Sequence, residues 1–150
     1  MTKLSFRPSH IGVCVSDLQA SIRFYCEGLG FESGESLDIG PEYGQALEVA
    51  GDVRCTSQFI RREGTTLELL YYASPPVTGQ PSQKRNQLGL THLSFYVEDL
   101  DTAASRLIAN GGTLLPSTRY DSDDPSQVKI VFVSDPDGTR VELMQAPPTP

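Results

Sequence analysis

Two stretches of this chain occur twice in the same order. A shift of 82 residues lays His10-Ile11-Gly12-Val13-Cys14-Val15-Ser16-Asp17-Leu18 on His92-Leu93-Ser94-Phe95-Tyr96-Val97-Glu98-Asp99-Leu100 and carries Gly30 onto Gly112. A shift of 74 lays Gly64-Thr65-Thr66-Leu67-Glu68-Leu69 on Gly138-Thr139-Arg140-Val141-Glu142-Leu143. Each copy therefore has to be one repeated supersecondary unit. If the two halves pack with pseudo-twofold symmetry, the four residues His10, Glu68, His92 and Glu142 converge.

The local patterns give each copy the order βαβββ. From His10 to Leu18 the chain alternates, with Ile11, Val13 and Val15 on one face and His10, Gly12 and Cys14 on the other, the period of a half-buried strand. Ser16 or Asp17 can cap a helix whose apolar positions Leu18, Ile22, Tyr25 and Leu29 recur at helical spacing before Gly28 to Gly30 ends it. Strands are expected around 31–38, 53–62 and 65–72, with a short helix at 42–50. The second copy predicts strands at 92–97, 113–119, 128–133 and 139–145, and a helix capped near Asp99 or Asp101 with Leu100, Ala103, Ala104 and Leu107 inward. Asp135-Pro136-Asp137-Gly138 is a hairpin-turn signal, because Pro presets φ and Gly tolerates positive φ. Residues 74–89 break every periodicity and read as the linker, and 117–127 as a polar loop and candidate lid. The expected organisation is one α+β domain over 1–150, with module one at about 8–73 and module two at about 90–146, a curved, cupped mixed sheet with helices outside.

Each histidine opens a strand on the face away from the helix-packing residues, and each glutamate lies between apolar neighbours. This places all four on the concave side, where a shielded carboxylate is costly unless paired or metal-bound. They include both of the chain's histidines. Two imidazoles and two carboxylates suit one divalent ion with mixed N and O ligands, Zn, Ni, Co, Mn or Fe, with positions left open for water or substrate. Such a centre polarises a carbonyl, and a displaced glutamate, Glu142 or alternatively Glu68, can act as the base. Cys14, Tyr72, Ser94, Tyr96 and Met144 share the concave face as candidate pocket residues.

Composition removes other classes. A formal charge of −7 disfavours a nucleic-acid partner, which needs clustered Lys and Arg; the Arg61-Arg62 and Lys84-Arg85 pairs read as a solvated loop or edge strand. No apolar run reaches the roughly 20 residues that span a bilayer, and the opening Met1 to Pro8 lacks a signal-peptide stretch. A cytoplasmic protein is expected. Three cysteines form neither a disulfide framework nor a CxxC motif, so free thiols are expected. With both histidines serving as ligands, none remains to activate Cys14 as a nucleophile.

The paired βαβββ pattern carrying His10, Glu68, His92 and Glu142, with Asp135-Pro136-Asp137-Gly138 just before the last glutamate, resembles the vicinal oxygen chelate superfamily over about residues 8–146. That superfamily includes glyoxalase I, methylmalonyl-CoA epimerase, extradiol dioxygenases, and fosfomycin or bleomycin resistance proteins. The resemblance implies a homodimer acting on a small molecule, with ligands drawn from one chain or shared by two. It also implies chelation of vicinal oxygens by the metal. Four filled positions are similar to glyoxalase I-like lyases and isomerases, whereas ring-cleaving dioxygenases use two His and one Glu. Where bacterial glyoxalase I carries an Arg and an Asn that hold glutathione, this chain has Cys14 and Tyr72, and neither replaces a guanidinium. Methylmalonyl-CoA epimerases usually carry Gln where this chain has Glu68. The expected function is a metal-dependent lyase or isomerase that abstracts a proton α to a chelated carbonyl. The alternatives are an Fe(II) ring-cleaving dioxygenase and a non-catalytic drug-binding protein.

Overall fold

The structure, a computed structural model, describes residues 5–124 and 126–146. Residues 1–4, part of the Met1–Pro8 opening in which no signal-peptide stretch is expected, lie outside it, as do Pro125 of the expected polar loop and residues 147–150. Module one runs β1 (Ile11–Val15), α1 (Leu18–Ile22), β2 (Glu32–Ile39), α2 (Gly44–Leu47), β3 (Arg54–Arg62) and β4 (Thr65–Ser74). Module two runs β5 (Leu93–Val97), α3 (Leu100–Ala109), β6 (Thr113–Tyr120), β7 (Lys129–Ser134) and β8 (Arg140–Gln145). Each module forms a four-stranded mixed sheet, ordered β1-β4-β3-β2 and β5-β8-β7-β6, whose first strand is parallel to its last. The expected α+β class and repeated βαβββ order are present.

Two helical expectations change in detail. The helix expected over 42–50 is a 3-10 turn, Pro41–Tyr43, followed by the single turn α2, which ends where Glu48 adopts a left-handed φ of 55°. Val49 N then bonds back to Gly44 O at 2.9 Å, and the chain turns to bury Val53 completely. Beyond Ile22, α1 widens into a π-helical stretch, Arg23–Gly28, in which Leu29 N donates to Phe24 O five residues back. The wider turn lets consecutive aromatics, Phe24 and Tyr25, both be fully buried, which regular 3.6-residue spacing does not favour.

The chain divides into two compact units: residues up to Leu18 with Phe31–Val77, and Gln19–Gly30 with the chain from Thr78 onward. The first unit buries Val13, Val15, Ile60, Leu67 and Leu69 on one sheet face, and strand registry puts Gly12, Cys14, Ser57, Phe59, Glu68 and Tyr72 on the other. The second unit packs α3, through Leu100, Ala104 and Leu107, onto Val131, Val133, Val141 and Leu143. Its core includes the π-helical stretch, whose Glu27 carbonyl accepts two bonds from the Arg106 guanidinium at 2.9 and 2.7 Å. Asp99 is the cap of α3: its carboxylate accepts from Thr102 N at 2.8 Å.

The Asp135–Gly138 turn joins β7 to β8 as expected, with Gly138 at φ 100°. Asp135 Oδ1 accepts from the backbone N–H groups of Asp137 and Thr139, and its Oδ2 accepts from the buried Tyr25 hydroxyl at 2.9 Å. Burial lifts the Asp135 carboxyl above its ordinary 3.8, although the Tyr25 hydroxyl opposes that shift. A carboxyl raised in the folded state stabilises most when protonated, and this contribution falls as pH climbs from about 3.8 through the folded value. The tyrosine hydroxyl serves the ionised form. Tyr25→Phe is therefore expected to cost about 1.5–3 kcal/mol at pH 7, the range for a bond to a charged group, and measurably less at pH 4. Urea melts at the two pH values check this; equal losses would show that Asp135 does not titrate between them.

Candidate metal centre

In the first unit β4 lies between β1 and β3, so Glu68 has Gly12 opposite it on one side and Phe59 on the other. His10 immediately precedes β1, and its Nε2 stands 3.1 Å from Glu68 Oε2. The second unit repeats the arrangement: Glu142 on β8 lies between Ser94 and Phe132, and His92 Nε2 is 3.4 Å from Glu142 Oε2. Each imidazole meets an aromatic ring edge-on, His10 against Phe59 with centroids 5.4 Å apart and His92 against Phe132 at 5.6 Å. The glutamate side chains are 14% and 15% exposed and the histidines 37% and 30%. The carboxylates are thus largely sheltered while the imidazoles stay reachable.

Neighbouring hydroxyls fix the orientation of these side chains. Ser9 Oγ lies 3.0 Å from His10 Nδ1, and Thr91 Oγ1 lies 2.8 Å from His92 Nδ1. With Nδ1 engaged, Nε2 is the nitrogen presented to the glutamate, the arrangement that orients a metal-binding imidazole. Ser57 donates to Glu68 Oε1 at 2.5 Å, and Ser94 donates to Glu142 Oε2 at 2.7 Å. Here the copies differ: module one takes its hydroxyl from β3, whereas module two takes it from β5, at the position where module one has Gly12. Two ligands held by one ion at about 2.0–2.2 Å stand roughly 2.8–3.6 Å apart. Both His–Glu separations fall in that interval, so each pair fits one edge of a coordination shell. Among the described residues, no three or more His, Cys, Asp or Glu side chains gather as a ligand group; the pair is the unit that the structure brings together.

The expected pocket residues divide between the two units. Cys14 is exposed on β1, and Tyr72 lies opposite Cys55, which is buried. Burial pushes the Cys55 thiol and the Tyr72 hydroxyl up, and Cys14 and Glu68 nearby add to both shifts. In the second unit Tyr96 is paired with Met144 and is 77% exposed. Ser94 Oγ lies 3.2 Å from Met144 Sδ, but its bond to Glu142 makes it a partner of the candidate ligand as well as a wall residue.

Sequence reasoning missed several contributors. A hydroxyl residue directly precedes each histidine, Ser9 and Thr91, and this part of the repeat was legible. Phe59 and Phe132 carry no such mark, since an aromatic in an apolar strand reads as core. Ser57 has no counterpart by the shift, because module two has Ile130 two residues before Phe132. Arg85, expected in a solvated loop or edge strand, is in a loop, but its guanidinium carbon sits 3.3 Å from the centre of the Phe132 ring.

Comparison with known proteins gives the family and the fold. Residues 7–143 match the family model described as the Glyoxalase/Bleomycin resistance protein/Dioxygenase superfamily. A lactoylglutathione lyase of Salmonella typhimurium is 30% identical over 91% of this chain and 90% of its own length. A 2-epi-5-epi-valiolone epimerase of an Actinomyces species is 28% identical over 92% of this chain and 78% of its own. The crystal structure of a glyoxalase family protein from Bacillus cereus superposes with a TM-score of 0.81 over 97% of this chain and 98% of that one; at 20% identity it speaks for the fold. With a family model spanning nearly the whole sequence and the same fold in a solved relative, the chain belongs to the glyoxalase/bleomycin resistance protein/dioxygenase superfamily.

Proposed function

We propose that this chain is a divalent-metal-dependent lyase or isomerase that moves a proton α to the carbonyl of a small substrate. The observation that carries the reading is the twinned His–Glu pair, with Nε2–Oε2 separations of 3.1 and 3.4 Å and a hydroxyl against each Nδ1. His10, Glu68, His92 and Glu142 would hold one ion of Zn, Ni, Co, Mn or Fe. When bound, the ion supplies a Lewis acid that makes the carbon next to the carbonyl more acidic. Glu142, steadied by Ser94, takes the proton from that carbon and returns it to the same or the neighbouring carbon; Glu68, steadied by Ser57, is the second candidate base. The lyase and epimerase relatives support a proton-transfer chemistry. A pair supplies half of a four-ligand set, and in this reading the chain is a homodimer in which a second copy supplies the complementary pair.

The test is metal analysis of protein purified without added metal, followed by assay of Glu68→Gln and Glu142→Gln on a glutathione hemithioacetal, methylmalonyl-CoA and a catechol. Bound divalent ion at purification, with a fall of about 10²–10⁴ in rate for the base variant, is the expected result. No bound ion and no uptake of added Ni²⁺, Mn²⁺ or Zn²⁺ would overturn the reading. Unchanged metal and rate on catechol in Glu68→Gln would favour the dioxygenase instead.

A further inference from the structure

We infer that Arg85 recognises a carboxylate or phosphate group on the small carbonyl substrate, so that the substrate class is an anionic oxo compound; this deepens the proposed function and rests on Glu142 belonging to the reacting site. Arg85 comes from the segment between the modules. Ser82 Oγ and Gln87 N both donate to the Lys84 carbonyl, at 2.7 and 3.2 Å, and the Arg140 guanidinium donates to the Ser82 and Gln83 carbonyls. These bonds tie the loop to the start of β8, two residues before Glu142. The Arg85 guanidinium is then laid on Phe132, the residue opposite Glu142 and edge-on to His92.

A guanidinium carbon 3.3 Å from the ring centre is a cation–π contact, and an arginine held in this way carries the forked N–H donors that can grip a carboxylate or phosphate bidentately. Among the described residues Arg85 has no carboxylate within ion-pairing distance. Burial and the neighbouring Arg140 both work against its positive charge, and Glu142 only partly offsets them. Two guanidiniums held close together form a cationic spot in a chain of net charge −7. Once Glu142 serves as an ion's ligand, its negative charge is shared, and a substrate anion is the remaining counter-charge for Arg85.

The test measures binding by calorimetry, with pyruvate, inorganic phosphate and the neutral hydroxyacetone as probes, on Zn²⁺-treated and metal-free wild type, Arg85→Gln and Arg85→Lys. Thermal melts confirm that the variants, altered at an exposed loop position, remain folded. Arg85→Gln is expected to bind the favoured anion about 10- to 100-fold more weakly and hydroxyacetone equally well. Arg85→Lys recovers part of the loss, because it restores the charge without the fork. Whichever of pyruvate and phosphate loses more affinity identifies the group that is read. Pyruvate and phosphate binding in Arg85→Gln at wild-type strength would overturn the inference. Failure of every form to take up Zn²⁺ would instead remove the metal reading, and the phosphate comparison on metal-free protein would still decide the role of Arg85.

Discussion

His10→Ala and His92→Ala are each expected to weaken divalent-metal binding by roughly 10²–10³-fold. The figure comes from apparent zinc-site free energies of about 10–16 kcal/mol shared among four ligands, so that one ligand accounts for about 2.5–4 kcal/mol. Each histidine is partly exposed, so its loss should leave the fold intact, and equilibrium dialysis against Zn²⁺ reads the effect directly. A stronger form of the experiment asks where the two pairs meet. Consider one chain carrying His10→Ala with Glu68→Gln, and another carrying His92→Ala with Glu142→Gln. If the pairs serve a shared site in a homodimer, neither chain alone binds metal. Dissociating and reassociating an equal mixture should restore about a quarter of the wild-type sites, since half of the dimers are mixed and each mixed dimer holds one intact set. No restoration in a verified mixed dimer would show that the sets are not completed across copies. Wild-type affinity in both single histidine variants would remove the pairs from metal binding altogether.

The part of this centre that the sequence disclosed is the part that repeats. Strand alternation told which face His10, Gly12 and Cys14 occupy, and registry in both sheets agrees, with Gly12 opposite Glu68 and Ser94 opposite Glu142. Strand-like runs placed seven of the eight strands within a residue or two, and the alternation read from His10 to Leu18 contains β1, which stops at Val15. What stayed hidden lacks either period or duplication. Arg85 lies in an irregular loop whose position is set by bonds from Arg140, 55 residues further along the chain, and no local pattern encodes such a tether. Ser57 and Ser94 perform one task from different strands, so the sequence offered Ser94 only as a pocket residue and Ser57 not at all. The helix shows a further limit: hydrophobic spacing tells which face of 18–29 is apolar but not which sheet it meets. Most of that segment, Gln19–Gly30, groups with the second module's sheet.

That grouping makes Gly112 a sensitive position, and a double-mutant cycle with Phe24 is expected to expose it. A Cβ at Gly112 would stand 2.7 Å from Phe24 Cε2, 2.8 Å from Val133 Cγ1 and 2.9 Å from the Leu107 carbonyl oxygen. The carbonyl already accepts the Gly112 N–H at 2.9 Å, so neither it nor the start of β6 can retreat without breaking that bond. Gly112→Ala should therefore cost about 2–3 kcal/mol, toward the upper end for overpacking. Phe24 is fully buried, and Phe24→Ala should cost about 3–5 kcal/mol through lost transfer energy and the cavity left behind. The two losses should not add. Removing the Phe24 ring clears one of the three obstructions and leaves Val133 and the Leu107 carbonyl, so Gly112→Ala in the Phe24→Ala background should cost about 1 kcal/mol less than it does alone. Chemical denaturation of the four proteins measures the coupling. Additivity within about 0.3–0.5 kcal/mol, the usual scatter for independent sites, would mean that the first module's helix does not rest on the loop that ends α3. Coupling of the expected sign would show that a segment from module one completes the core beneath the sheet carrying Glu142, so that the second βαβββ repeat, cut out by itself, lacks part of the packing that holds its candidate His–Glu pair.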